Sequence, residues 1–470
     1  MTLMAKNQDY ILKHIDPETG YGLLYSEKND RCLFLNTVAT LLWTMPSDFL
    51  DSSRESCTVA KSMKSPNAAD YVAKVADDMR QSGLFRPLED GEALKGASMN
   101  DEVYTLNQIY FYAAMECNAH CYHCYQPTTK VDASTEQKSK RVGKEVFMNF
   151  IESALPLGLE HVKITGGEPL LRGDLGEIIR GIRKLGPSVA LETNGFLIDE
   201  KAADMLSQGE VEVSISLDGG SEVVHDSLRG LPGSFQRATR AMKMLSDRGC
   251  EPQVVMSISR RNLGEVEKTI SVAASNGCSL VKINPLSTFG SAERLKGSEI
   301  ILTIKELIEM RKRRKDLEAK YGVSLFFELP PSFASPYEIA SGRTGMCPFK
   351  NMLGVLPDGS ISFCGIGNIY HDLIFGRIDE EGFDIQRLWQ EAEALIEIRT
   401  LLSGKLKGVC GLCVFESFCK GSCRAHAYGE SRSFLAPDPL CQRAFEEGIF
   451  PDYYLIMITE MIGGEKEWLI

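Results

Sequence analysis

The stretch Cys117-Asn-Ala-His-Cys121-Tyr-His-Cys124 places three thiols at x3 and x2 spacing, directly after the apolar run Ile109–Met115. Thiolates are soft-metal ligands. Four cysteines saturate a zinc ion or a cubane cluster, whereas three leave one metal position open. On an iron–sulfur cluster the open iron can take a small chelating ligand, and chemistry would happen at that position. The competing readings are a partial zinc site and three reduced surface thiols.

A second set of seven cysteines lies between residues 347 and 441: Cys347, Cys364, then Cys410-x2-Cys413-x5-Cys419-x3-Cys423, and Cys441. Pro357-Asp358-Gly359 supplies the turn of a hairpin ending at Cys364. Zinc knuckles also use C-x2-C, so a structural zinc site is the alternative here. Cys32, Cys57, Cys250 and Cys278 stand apart and read as small packing residues. The N-terminus lacks the apolar core of a signal peptide, and no apolar run approaches the ~20 residues that span a bilayer. A cytoplasmic location is expected, where fourteen cysteines read as metal or cluster ligands rather than disulfides. The net charge of −12 argues against a nucleic-acid groove, which needs a basic stripe.

The elements that must position these thiols follow an α/β pattern. Apolar strands fit Gln108–Ala114, His161–Thr165, Val189–Glu192, Val211–Leu217, Gln253–Ser259 and Leu280–Asn284. Helices fit between them, for example Val142–Leu155, Leu175–Leu185, Phe235–Asp247 and Leu263–Ala274. Six β-α units with near-continuous apolar strands imply a parallel sheet with right-handed crossovers, curled into a partial (β/α)6 TIM-like barrel. Sites in such sheets sit at the C-terminal strand ends. Gly166-Gly167-Glu168-Pro169 follows the second strand, Thr193-Asn194-Gly195 the third, and Ser214-Ile-Ser216-Leu-Asp218-Gly219 the fourth. Two adjacent glycines let backbone carbonyls and N–H groups approach a ligand closely, without a Cβ in the way. Residues 8–90 read as a separate unit: short strands at 23–25 and 32–35, a helix over 37–43 capped by Asn36, and a second over 68–82. Residues 290–340 read as a bridge through a charged helix whose run Arg311–Lys315 is a solvated face.

The Cys117/Cys121/Cys124 trio followed downstream by G-G-E-P in a β-α array resembles the radical S-adenosylmethionine (SAM) superfamily. That resemblance implies a [4Fe–4S] cluster on Cys117, Cys121 and Cys124, its fourth iron chelating the amino and carboxylate groups of SAM. Gly166, Gly167, Glu168 and Pro169 would contact the SAM amino group. Asn194 is a candidate for the methionyl carboxylate or for a helix cap, and Arg229 for a carboxylate contact. One of Ser214, Ser216 and Asp218 would hold the ribose hydroxyls, against simple turn duty. The C-terminal spacing resembles the SPASM extension, which implies two auxiliary [4Fe–4S] clusters. Cys347, Cys364 and Cys423 would ligate the inner one, whose fourth iron is left open or takes a substrate or other non-cysteine ligand. Cys410, Cys413, Cys419 and Cys441 would saturate the outer one. Anaerobic sulfatase maturases place an Asp base just after the hairpin cysteine; here that position is Gly365.

The N-terminal unit resembles the winged-helix-like element by which ribosomal-peptide maturation enzymes bind a leader peptide as an added strand. The implied organisation is a peptide-recognition domain at 1–95, a radical SAM partial barrel at 104–310, a bridging region at 311–346, a SPASM domain at 347–445 and a C-terminal helix at 446–470. The implied activity is that of a radical SAM/SPASM peptide maturase of the sactisynthase, ranthipeptide or cyclic-peptide-synthase kind. Such an enzyme installs a cross-link, thioether first and carbon–carbon next, in a precursor peptide, using electrons from a ferredoxin or flavodoxin. A SPASM oxidoreductase acting on a protein residue or tetrapyrrole, and a zinc-binding winged-helix regulator, are the alternatives.

Overall fold

The computed structural model describes residues 104–451 except 132–140, 335–343, 346, 404–405 and 414, with Leu455 beyond. Nearer the N-terminus it describes 3–6, 11–15, 22–26, 31–35, 39, 43, 49–51, 68–81 and 84–87. Within that N-terminal part, Leu3–Lys6 pairs antiparallel with Phe49–Asp51 on one side and Phe85–Pro87 on the other. Ile11–Ile15, Gly22–Ser26 and Arg31–Leu35 form a second three-stranded antiparallel sheet. Helix Ala68–Gln81 buries Val72, Val75, Ala76 and Met79, a stripe at helical spacing. The helix expected over 37–43 lies outside the described residues except at Ala39 and Trp43, and residues 456–470 of the expected C-terminal helix lie outside them too.

Seven strands form a continuous parallel array: β1 (Gln108–Ala114), β2 (His161–Gly166), β3 (Ser188–Thr193), β4 (Glu212–Ser216), β5 (Gln253–Ile258), β6 (Leu280–Pro285) and β7 (Ser324–Phe327). Beyond β1, whose second half is buried on both faces, the strands alternate. Val162 and Ile164, Val213 and Ile215, Val254 and Met256, and Val281 and Ile283 are fully buried, while their neighbours are half-buried. The buried set packs against helices Lys144–Ala154, Leu175–Leu185, Ser234–Ser246 and Val266–Ser275. Phe111 of β1 stacks on Phe147 at 3.8 Å between ring centroids, and Phe147 is fully buried. The other face of the sheet is left to polar side chains and lines the interior of the half-barrel.

The parallel sheet does not stop at six strands. The segment read as a bridge contains two helices, Ile304–Lys312 and Arg314–Tyr321, and then β7, which pairs with β6. Ser324–Phe327 is only four residues long and follows a charged helix, too short a run for periodicity to separate it from a loop. The basic run is also not one solvated face: Arg314 is buried and pairs with Glu318 at 2.9 Å, while Arg313 reaches Glu267 at 2.6 Å.

At the opposite edge, β8 (Met352–Val355) pairs parallel with β1 and turns back into β9 (Ser360–Ser362), which pairs with β10 (Gly376–Arg377). The sheet order is β7-β6-β5-β4-β3-β2-β1-β8-β9-β10. The hairpin turn at Pro357–Gly359 is as expected, with Gly359 at φ +91°. The cysteine-rich C-terminal segment is therefore built onto the same sheet as the strand leading into the first thiol trio. Replacing Phe147 by Ala removes the ring that stacks on Phe111; the expected loss is about 3–5 kcal/mol of unfolding free energy, read by denaturant titration.

Candidate functional site

Cys117 ends the short extension Glu116–Cys117 beyond β1, and the loop it opens carries Cys121 and Cys124. Its backbone is pinned to the helix Glu222–Arg229: His120 N–H donates to Arg229 O at 2.8 Å and Tyr122 N–H to Leu228 O at 2.9 Å. The Ala119 N–H points at Cys117 Sγ at 3.5 Å, and Arg229 Nη1 at Cys121 Sγ at 3.4 Å. Burial pushes the Cys117 thiol up to about 12, and burial also raises Cys124. Burial disfavours the thiolate form of Cys117 and Cys124, so a charge-compensating partner is needed for either to ionise. Asn118 is buried and its amide nitrogen Nδ2 has no protein partner, a donor left pointing into the site. This donor set fits a cluster with a chelated co-substrate.

Arg229 is held by Asp218, whose Oδ2 lies 2.7 Å from Nε. Asp218 is fully buried and also accepts Ser257 N–H at 2.8 Å, with His123 Nε2 at 3.4 Å. Burial alone would push this carboxyl up; the Arg229 guanidinium, with His123 beside it, holds it below the usual carboxylate range. Both Asp218 and Arg229 therefore position each other beneath the thiol loop. Asp218 is committed to these partners, which leaves Ser214 and Ser216, half-buried on the interior face, as the better-placed hydroxyl candidates of that strand.

The Gly166–Pro169 turn is built on close backbone approach. A Cβ on Gly166, at φ +130°, would stand 2.5 Å from Ala114 O, and one on Gly167 would stand 2.1 Å from Glu116 O. Gly167 N–H donates to Ala114 O at 2.7 Å and Glu168 N–H to Glu116 O at 2.8 Å. The neighbour these glycines admit is the chain leading into Cys117. Glu168 is fully buried and accepts Thr193 Oγ1 at 2.7 Å, Asn194 N–H at 2.9 Å and Leu170 N–H at 3.1 Å. Pro169 is buried and opens a short 3-10 turn, its carbonyl accepting the Arg172 N–H at 2.9 Å. Asn194 donates to Asn118 Oδ1 at 2.8 Å and accepts Phe196 N–H at 2.9 Å, so it caps its turn and orients Asn118 at once. Asn118 is the residue the sequence reading passed over; its position inside the thiol loop was the available signal.

The seven C-terminal cysteines fall into two groups. Cys410, Cys413, Cys419 and Cys441 line one small cavity together with Ser332 and Asp438. Amide N–H groups of Asp438, Phe415 and Ser422 point at Cys410, Cys413 and Cys419 Sγ at 3.3, 3.4 and 3.1 Å, and Ser332 Oγ lies 3.3 Å from Cys441 Sγ. Burial pushes Cys410 up to about 11 and Cys413 up to about 12. Cys347, Cys364 and Cys423 form the second group: burial pushes Cys364 up to about 12 and Cys423 up to about 11. The Cys423 and Cys364 thiols add to burial in raising Cys347. Among the described residues no three His, Cys, Asp or Glu side chains gather tightly enough to hold a single metal ion. Cys278 is buried in the hydrophobic core and Cys250 packs against it.

Between the two cysteine regions the interior of the half-barrel is charged. Lys163 pairs with Glu192 at 2.5 Å and Lys282 with Glu328 at 2.9 Å, all four side chains between a fifth and two-fifths exposed. Burial would push Glu192 up, but Lys163 and then Lys282 hold it below the usual range. Gly365, after Cys364, packs against the Gln126 amide and the Tyr112 ring: a Cβ there would meet them at 2.3 and 2.5 Å. A side chain there would have to displace the Gln126 amide and shift the Tyr112 ring.

Residues 115–273 match the radical SAM superfamily. The chain is 28% identical over 344 residues to an AdoMet-dependent heme synthase of Methanosarcina barkeri, covering 69% of this chain and 93% of that one. It is 27% identical over 345 residues to the mycofactocin maturase MftC of Mycobacterium tuberculosis, covering 70% and 81%. Its fold is similar to that of SuiB from Streptococcus suis bound to the precursor peptide SuiA, with a TM-score of 0.57 at 13% identity, covering 93% of this chain and 100% of that one. A Gly167→Ala variant should keep native secondary structure by circular dichroism yet bind less iron after anaerobic reconstitution. The added methyl displaces the turn from Glu116 and with it the base of the thiol loop.

Proposed function

This chain carries a radical SAM domain and is a radical SAM enzyme, and from that premise we propose that it installs a cross-link in a ribosomally made precursor peptide. The non-enzymatic zinc regulator falls with the premise. Bound at such a site, SAM and a [4Fe–4S] cluster supply a 5′-deoxyadenosyl radical that takes hydrogen from carbon. Cys117, Cys121 and Cys124 would hold the cluster, with Arg229 and the Ala119 amide offsetting thiolate charge. Asn118, Asn194 and the Gly166–Pro169 turn would seat the polar end of SAM, and Ser214 or Ser216 its ribose. The four cysteines around the cavity would hold an outer auxiliary cluster, and Cys347, Cys364 and Cys423 an inner one that accepts the electron left over.

The observation that carries the peptide reading is the charged interior. A substrate entering it must lie against Lys163, Glu192, Lys282 and Glu328. Covering ionised groups with an apolar surface costs several kcal/mol unless hydrogen bonds replace water. A peptide backbone brings N–H groups for the carboxylates and carbonyls for the ammonium groups. The two small N-terminal antiparallel sheets supply strands beside which a leader could add as a further strand. Tethering the leader would raise the local concentration of the core to roughly millimolar. Gly365 carries no carboxylate where sulfatase maturases place their base, which supports cross-linking over formylglycine formation. A thioether is the first choice of bond, because an incompletely ligated inner cluster could hold a substrate thiolate. The second reading, action on a tetrapyrrole, is favoured by the relatives named heme synthases.

Anaerobically reconstituted protein with dithionite and SAM should form 5′-deoxyadenosine, and alanine at Cys117, Cys121 and Cys124 together should abolish it. Co-expression with a short reading frame beside the gene should yield a peptide lighter by two hydrogens per cross-link. A peptide of unchanged mass alongside turnover of a tetrapyrrole would decide for the second reading.

A further inference from the structure

We propose that the outer face of the thiol loop, centred on Tyr122 between Arg261 and Arg294, docks an acidic one-electron carrier protein of the flavodoxin kind. The inference rests on the radical SAM reading, since it supplies the electron that such a cluster needs. Tyr122 lies between Cys121 and Cys124, and this part of the loop is half-exposed, whereas Cys410, Cys413 and Cys441 are buried. The Arg261 guanidinium sits 4.3 Å from the centre of the Tyr122 ring and that of Arg294 sits 5.9 Å from it. Arg294 also donates to the Tyr122 and Ser291 carbonyls, which anchors it to the loop.

Both arginines are exposed, and among the described residues neither has a carboxylate partner. That sets them apart from the cations around them: Arg260 is paired with Glu306 at 2.7 Å, and Lys296 with Glu430. Among the described residues, neither Glu293, beside Arg294 in sequence, nor the nearby Glu299 forms an ion pair with either arginine. Two like charges are thus held on one ring with nothing between them to offset their repulsion. In a chain of net charge −12 such a patch runs against the general sign. Carboxylates on an incoming protein relieve the repulsion, and the aromatic ring offers a flat, desolvated contact beside the thiols. The rest of the acidic surface repels the same partner elsewhere, so the patch sets orientation as well as encounter rate. One electron leaves the carrier's reduced flavin and one enters the cluster; no bond is made and no proton is asked of this chain.

The test compares wild type with Arg261→Gln and Arg261→Glu, since Arg294 also braces the loop. Initial rates of 5′-deoxyadenosine formation are measured with dithionite and, separately, with NADPH, flavodoxin reductase and flavodoxin, at several salt concentrations. Binding of oxidised flavodoxin is measured by calorimetry on the reconstituted enzyme. With flavodoxin at low salt, the rate should fall on the order of tenfold in Arg261→Glu and less in Arg261→Gln, with weaker binding in the same order and a flatter salt dependence. The dithionite rate should not change. An unchanged flavodoxin rate and affinity overturns the proposal, as does an equal fall with dithionite, or wild type that shows no salt-sensitive binding. Wild type that makes no 5′-deoxyadenosine even with dithionite instead overturns the reading beneath it.

Discussion

Backbone contact between the Gly166–Gly167 turn and Ala114–Glu116 decides where the first thiol stands. The two chain segments meet through paired N–H···O bonds at 2.7 and 2.8 Å, with no room for a methyl group on either glycine. Glu168 extends the tie to the end of β3 through Thr193 and Asn194, and Asn194 passes it back to Asn118 within the thiol loop. Three strand ends and the loop are thereby closed into one ring of hydrogen bonds. Because Glu168 is fully buried, each of those bonds is made in a low-dielectric setting, where a missing partner is costly. The loop is therefore rigid at its base and free to meet a ligand at its rim.

A second lock comes from the other side. The Asp218–Arg229 pair is buried, and the helix carrying Arg229 receives two amide bonds from the thiol loop. Buried ion pairs add little net stability, but losing one partner strands the other charge, at a cost of about 3–5 kcal/mol. What the pair contributes is position: a guanidinium fixed 3.4 Å from a sulfur that becomes negative when it binds metal. The charged interior obeys the same rule on a larger scale, since Lys163–Glu192 and Lys282–Glu328 compensate one another and stay partly wetted. Such an interior is tolerable only if a polar guest, or water, fills it.

The parallel array was legible because its strands are near-continuous apolar runs separated by helical segments: Gln108–Ala114 and Gln253–Ile258 read directly from such runs. Helix Leu175–Leu185 was legible to the residue, with Ile178, Ile179 and Ile182 at i, i+1 and i+4 and Gly186 after it. β7 was not, because four residues carry too little pattern. β8 escaped for another reason: its pairing with β1 joins residues more than two hundred positions apart, and nothing local announces it. At the site, cysteine spacing was readable because a shared ligand would impose it. The glycine turn was found, but its neighbours were not, since close approach names no partner until the chain is folded. Asp218 shows the same limit: an Asp at a strand end looks alike whether it faces a ligand or, as here, an arginine.

The join between β8 and β1 bears on how the two cysteine regions work together. β1 leads into Cys117 and β9 leads into Cys364, with β8 between them, so Cys117 and Cys364 follow strands of one sheet. Gln126, two residues past Cys124, donates to Gly365 O at 3.3 Å and accepts from Asn368 Nδ2 at 3.0 Å. The absence of a side chain at Gly365 is what lets these loops touch. A hinge between the regions would have to break both the strand ladder and this buried amide contact. The separation between the place where a radical would be made and the place where its electron would leave is thus a property of the fold, set before any substrate arrives.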